Sequence, residues 1–159
     1  MKGNELMRRN DKKITDRTEI EEILSENTIC RIGLSDKNLP YIIPMNYGYH
    51  NNMIYLHSAC IGKKIDIIRQ NNKVCFEITD SIELIKAENA CDYGTRYRSV
   101  IGFGKVYFVN DSAEKVKALQ IIMEQHTGKS DWLFAEKSVS KVLMLKIVIE
   151  SISGKKADI

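Results

Sequence analysis

Alternating apolar and polar residues dominate this chain, interrupted by a few segments of helical periodicity. Asp16 with Glu19 three residues later fits a capping box, and Ile20, Ile23 and Leu24 then share one stripe, which predicts a short helix over residues 17–25. From Thr28 the period becomes two. Strands are expected over residues 28–35, 40–49 and 53–59, joined by an Asp36-Lys37-Asn38 turn and an Asn51-Asn52 turn, because asparagine tolerates the left-handed backbone of tight hairpins. Gly62 opens a helix to about residue 71 with Ile65 and Ile68 on one face, and residues 73–79 return to strand. Residues 81–90 fit either a strand or an ordered loop. A long strand follows over residues 96–109, where Gly102 and Gly104 mark a bend or bulge of the kind that curls a sheet. Ser112 is the expected cap of a helix to about residue 126, with Ala113, Val116, Leu119 and Met123 as its buried stripe. A loop holding Trp132 and Phe134 leads to a last strand over residues 142–152.

Six or seven strands with helices tucked between them, and no βαβ alternation, define a mainly β chain. A closed or half-closed antiparallel barrel with packed helices is expected in preference to an open α+β sandwich. At 159 residues there is room for one sizeable core. The reading is a flexible basic tail over residues 1–13, carrying Arg8, Arg9, Lys12 and Lys13, and a single domain over residues 14–159.

A net charge of +3 is spread along the chain, too weakly to point to nucleic acid. Cys30, Cys60, Cys75 and Cys91 show no CxxC and no histidine ladder, so no zinc site is expected and the thiols are read as reduced and mostly buried in strands. A polar N-terminus and the prolines and asparagines of the uncharged middle argue against a signal peptide and a membrane span, so the expected location is cytoplasmic.

Residues 39–62 contain no Asp, Glu, Lys or Arg, where a composition of 28% charged residues predicts about seven in 24. Along them stand Tyr41, Asn46, Tyr47, Tyr49, His50, Tyr55, His57 and Ser58, flat apolar groups with polar tips that suit a planar polar ring. An ordinary barrel interior with buried tyrosines accounts for that composition equally well. The string HSACIGKK from His57 to Lys64 adds chemistry: a strand ends at Ala59, and Gly62 leads into a helix whose first turn carries Lys63 and Lys64. Cations there oppose the helix dipole, and a phosphate would compensate by accepting the free first-turn N–H groups and pairing with both ammonium groups. Arg98 and Ser99, on opposite faces of the long strand, form a second candidate patch, with an exposed charged edge as the plain alternative. Of three histidines His57 is the candidate catalyst; His50 sits by a turn and His126 at a helix C-terminus. No Walker A, GxGxxG, GxSxG or HExxH motif is present.

The series RRNDKKITD, LPYIIPMNYGY, MIYLHSACIGKK and RYRSVIGFGKV resembles the pyridoxamine 5′-phosphate oxidase-like split-barrel flavoproteins, in particular the nitroimidazole-resistance-type branch. The resemblance implies a six-stranded antiparallel split barrel forming a homodimer with FMN at the interface. It further implies that Ile43, Pro44, Met45, Asn46 and Tyr47 run along the isoalloxazine ring and that His57, Ser58 and Ala59 flank the cofactor. Gly62, Lys63 and Lys64 would hold its phosphate, and Arg98 and Ser99 would reach it from the later strand. Tyr41 stands where pyridoxamine 5′-phosphate oxidases carry an arginine, and their C-terminal Trp and Arg motif is not found after Val142, so the resemblance does not extend to vitamin B6 oxidation.

The expected function is FMN-dependent reduction of a small nitroaromatic or quinone-like acceptor, with an electron donor the sequence does not name. A flavin-binding sensor or electron-storage module is the alternative. A nucleic-acid-binding barrel is the third, and the uncharged block argues against it.

Overall fold

The computed structural model describes residues 9–157. Most of the basic tail, residues 1–8, therefore lies outside the described residues. What is described of it forms a 3-10 turn, Asn10–Lys12, and the start of the two-residue strand β1, Lys13–Ile14. The chain continues through α1 (Arg17–Glu26), β2 (Ile29–Asp36), β3 (Leu39–His50), β4 (Met53–Ser58), α2 (Lys63–Gln70), β5 (Lys73–Ile85), β6 (Gly94–Val109), α3 (Ser112–Thr127), α4 (Glu136–Lys141) and β7 (Leu143–Ala157).

Local chemistry sets these boundaries. Asp16 caps α1 by accepting from the Thr18 N–H at 2.9 Å. Lys37 and Asn38 share positive φ values of 48° and 73°, and Asn51 and Asn52 of 49° and 60°, so both hairpins turn on two left-handed residues that match the twist of their strands. Gly62, with φ 126°, is the N-cap of α2 and occupies backbone space that side-chain-bearing residues rarely adopt. The bulge expected near Gly102 and Gly104 is present: the β6–β7 register shifts between Phe103 and Gly104. Residues 81–85 join β5 beyond a register shift at Asp80 and Glu83, where Ser81 turns to φ 54°, and residues 86–93 are a connection containing the 3-10 turn Ala90–Asp92.

All strands pair antiparallel in one sheet of order β1-β7-β4-β3-β2-β5-β6, and β6 pairs back onto β7 to close six long strands into a barrel. The closure is incomplete at one place. β3 and β4 share only four pairs, from Tyr47↔Leu56 to His50↔Met53. Before Tyr47, β3 stays with β2; after Leu56, β4 stays with β7. The barrel is split along that seam.

Ile32, Ile54, Leu56, Phe76, Ile78, Val100, Leu145 and Ile147 fill the interior, with Ile20, Ile23 and Leu24 of α1 and Ile65, Ile67 and Ile68 of α2 joined to it. On the outside of β4, Tyr55 and Met144 pack with Ala118 and Ile122 of α3 in a second cluster.

Three expectations need correction. The cap of α3 is Asp111, whose carboxylate accepts from the Glu114 N–H at 2.8 Å, and Ser112 is the first helical residue. The buried face of α3 is Ala118 and Ile122; Ala113 is exposed and Val116, Leu119 and Met123 are half-buried, because the helix lies on a sheet already closed and buries only a narrow stripe. Of the free cysteines, Cys30 is buried and Cys75 half-buried in strands, whereas Cys60 and Cys91 are exposed outside the strands, Cys91 in the 3-10 turn Ala90–Asp92. Among the described residues no helix is long and apolar enough to cross a membrane, and no group of His, Cys, Asp or Glu could hold a metal ion.

Candidate functional site

The seam where β3 leaves β4 forms an open cleft. One step past the last ladder pair, Asn46 of β3 and His57 of β4 face each other, both exposed. Toward the start of β3 the outward positions are Pro44 and Ile42, the latter 68% exposed. At the far end the Lys63 ammonium lies 4.9 Å from the centre of the Tyr41 ring, which brings the first turn of α2 to the level of Tyr41. From Asn46 to Tyr41 is five residues, about 17 Å along a strand. Asn46, Pro44 and Ile42 thus share the outward face of β3, and the cationic end lies where Tyr41, on its inward face, meets Lys63.

The cationic end fits a phosphate. No side chain caps α2, so its first-turn N–H groups have no side-chain acceptor, and Lys63 and Lys64 form no ion pair among the described residues. Ser58 is buried, its hydroxyl donating to the Ala59 carbonyl at 2.9 Å, which shapes the turn before Gly62. The His57 ring has no hydrogen-bond partner among the described residues and faces outward beside Asn46.

The structure separates the other site expectations. Ile43, Met45 and Tyr47 point inward: Tyr47 is fully buried, and its hydroxyl donates to the Leu24 carbonyl at 2.8 Å. Burial raises its pKa well above the ordinary range, and burial likewise raises that of Tyr55. Tyr47 and Tyr55 are therefore core residues and Tyr49 is half-buried beside α1; of the tyrosines in the uncharged block only Tyr41 reaches the cationic end.

Arg98 and Ser99 are not brought to Lys63 and Lys64 within one chain. Arg98 grips Asp80 with two hydrogen bonds, 2.9 and 3.1 Å, and lies 3.4 and 3.5 Å from Glu22 and Glu26 of α1. Hydrogen bonding to Asp80 holds its pKa up. Ser99 is level with Asn46, since Ser99 pairs with Thr79 and the Arg31↔Glu77 register sets Thr79 opposite Ile29, the partner of Asn46. It is three strands from β3, about 14 Å across the sheet.

One surface feature was not singled out from the sequence. The outward faces of β2, β3 and β6 carry Ile29, Ile42, Ile101 and Phe103, between 44% and 68% exposed, and β5 between β2 and β6 contributes Glu77 in a 3.1 Å ion pair with Arg31. Alternation in residues 99–107 carries a faint signal of this face, because Ile101, Phe103 and Tyr107 stand opposite the buried Val100 and Val106. Two shallow, half-open pockets lie elsewhere: about 270 Å³ between the β2–β3 hairpin and α2, lined by Asp36, Asn38, Gln70 and Asn71 among others, and about 220 Å³ beside Asp11, Lys12 and Lys156. The cleft has one wall in a single chain.

Six antiparallel strands closed through β6 and β7 and parted along the β3–β4 seam make the chain a split β-barrel. The chain belongs to the pyridoxamine 5′-phosphate oxidase family, whose model matches residues 16–156. Among solved structures it is similar to a protein of Bacteroides thetaiotaomicron provisionally described as a 5-nitroimidazole antibiotic resistance protein. Identity is 35%, coverage 91% of this chain and 86% of that one, and the TM-score 0.82. The fold also matches a FAD- and heme-binding protein of Mycobacterium smegmatis at TM-score 0.83, with 16% identity and coverage of 92% and 74%. A curated relative in Rhizobium meliloti, of uncharacterized function, is 29% identical over 68 residues, 43% of this chain and 44% of that relative's length.

Proposed function

We propose that the protein is an FMN-dependent oxidoreductase that works as a homodimer and reduces small nitroaromatic or quinone-like acceptors. The observation that carries this reading is the seam itself, with Lys63 and Lys64 in the first turn of a helix that no side chain caps at one end and Asn46 and His57 at the other. Lys63, Lys64 and the first-turn N–H groups would hold the phosphate; one such seat suits a mononucleotide. Ile42 and Pro44 offer an apolar surface to a flat ring, and the Asn46 amide and His57 imidazole would hydrogen-bond its polar edge. FMN supplies hydride and single-electron transfer when bound, so the chain's own task is to orient it, exclude water and hold a proton at the His57 imidazole.

The second wall would come from a second copy. Exposed apolar side chains spread over β2, β3 and β6 suit contact with a second copy, and a two-fold contact through that face would bring the partner's Ser99 to the open cleft. Arg98 then acts through its carboxylate partners, fixing α1 against β5 and β6. Four free cysteines suit a reducing, cytoplasmic setting. The structural likeness to the Bacteroides protein favours a nitro-group acceptor.

Purified protein should be yellow and release FMN on denaturation; a colourless protein that takes up no added FMN sinks the reading. Lys63→Ala and Lys64→Ala should each weaken FMN binding about tenfold, the order for one charge-assisted hydrogen bond, in a fluorescence titration. A yellow protein that turns over no nitroaromatic or quinone with chemical or nicotinamide reductants would reduce the reading to flavin binding alone.

A further inference from the structure

β3 changes partners beside the proposed cofactor, and the groups it exposes there are met by α3. Tyr47 and Tyr49 direct their backbone groups to the side where β2 would continue, but the β2 ladder starts only at Ile29, opposite Asn46. Tyr47 N–H still finds the Thr28 carbonyl at 3.1 Å. Beyond it, two consecutive side chains of α3 replace the missing strand. His126 Nε2 lies 3.1 Å from the Tyr47 carbonyl and donates to it, and the Gln125 carbonyl oxygen accepts from the Tyr49 N–H at 2.6 Å. The Gln125 amide nitrogen donates in turn to the Leu24 carbonyl at 3.1 Å and to the Asn27 carbonyl, groups left over at the C-terminus of α1. The backbones meet closely, since a Cβ on Gly48 would come within 2.7 Å of the Ile122 nitrogen.

We propose that Gln125 and His126 are positioning residues for the cofactor cleft, fixing residues 47–49 of β3 so that Asn46 stands at a set distance from His57 across its mouth. The seam opens at Tyr47, so a shift of this segment changes the width of the mouth directly. The Tyr47 side chain anchors one face of the segment in the interior and β4 pairs one edge, while Gln125 and His126 hold the other edge, which β2 leaves open beyond Ile29. This inference rests on the flavin reading above.

The test uses the full chain stripped of cofactor and reads FMN affinity, the visible spectrum of the bound flavin, and the Tm without FMN. His126→Phe and Gln125→Met keep bulk and lose the hydrogen bonds; each should weaken FMN about tenfold and shift the bound flavin's absorption bands. His126→Gln, which retains a reaching N–H donor, should restore both. Unchanged affinity and spectrum in the two loss variants would overturn the proposal. So would a lowered Tm with an unshifted spectrum, which is the mark of a merely structural contact. If Gln125→Met does not fold, the His126→Phe and His126→Gln pair decides. A native chain that binds no FMN removes the flavin reading and this inference with it, whereas a native chain that binds FMN beside unaffected variants removes only the inference.

Discussion

Single residues carry this fold at points of close approach. Gly48 lies under α3 with no space for a methyl group, since the nearest obstacles are the backbone atoms of Ile121 and Ile122 rather than a side chain that could swing away. Gly48→Ala should destabilise the protein by about 1–3 kcal/mol, seen as a lower urea midpoint with an unchanged slope. Gly102 is similar in kind: its missing Cβ makes space for the ring of Phe76. The candidate site was legible residue by residue only where chemistry is local. The Gly62, Lys63 and Lys64 run says helix start, cation and anion seat within one short string. The tyrosines of residues 39–62 were not legible in the same way, because a tyrosine that lines a pocket and one that plugs a core look alike until its hydroxyl's partner is known. For Tyr47 that partner is the Leu24 carbonyl, 23 residues away.

At the scale of elements, caps and hairpins follow their sequences closely and helix faces do not. Asp16 and the Asn51-Asn52 turn do what their chemistry asks within four residues of chain. Helix α3 shows the limit, for Asp111 and Ser112 are both good caps and the choice between them depends on where β6 releases the chain. Asp111→Ala should cost about 1 kcal/mol in chemical denaturation, and Ser112→Ala should stay within a few tenths. Equal losses in the two variants would contradict the observed cap. The buried stripe of α3 was misplaced because its apolar residues nearly encircle it, so periodicity alone selects no face and only the sheet beneath it does.

Over the whole molecule, the apolar side chains on the outward faces of β2, β3 and β6 are the feature that a single chain leaves unsatisfied. Phe103→Glu should convert a dimer to a monomer in light scattering and lose FMN with it; a variant that stays dimeric and yellow places the contact elsewhere. Alkaline stability is also a property of the whole. Burial raises the Cys30 thiol from 9.0 to about 12, and burial raises the Tyr49 phenol from 10.0 to about 12. Both groups hold their protons more tightly folded than unfolded, so their contribution is complete below about pH 9 and is lost as the pH climbs toward 12. The urea midpoint should fall across that window, and Cys30→Ala should flatten its lower part.

By itself the sequence determined the mainly β class, the two tight hairpin turns, the bulge beside Gly104 and the glycine-led helix start that carries Lys63 and Lys64. Each is set by backbone conformation, capping or charge within a few neighbouring residues. Only the tertiary structure decided which face of each strand is open, that β3 and β4 part at Tyr47, and that Arg98 is spoken for by Asp80 while Ser99 lies three strands from β3. Those facts depend on register, and register is fixed by the packing of residues far apart in the chain, which a local pattern of period two leaves undetermined.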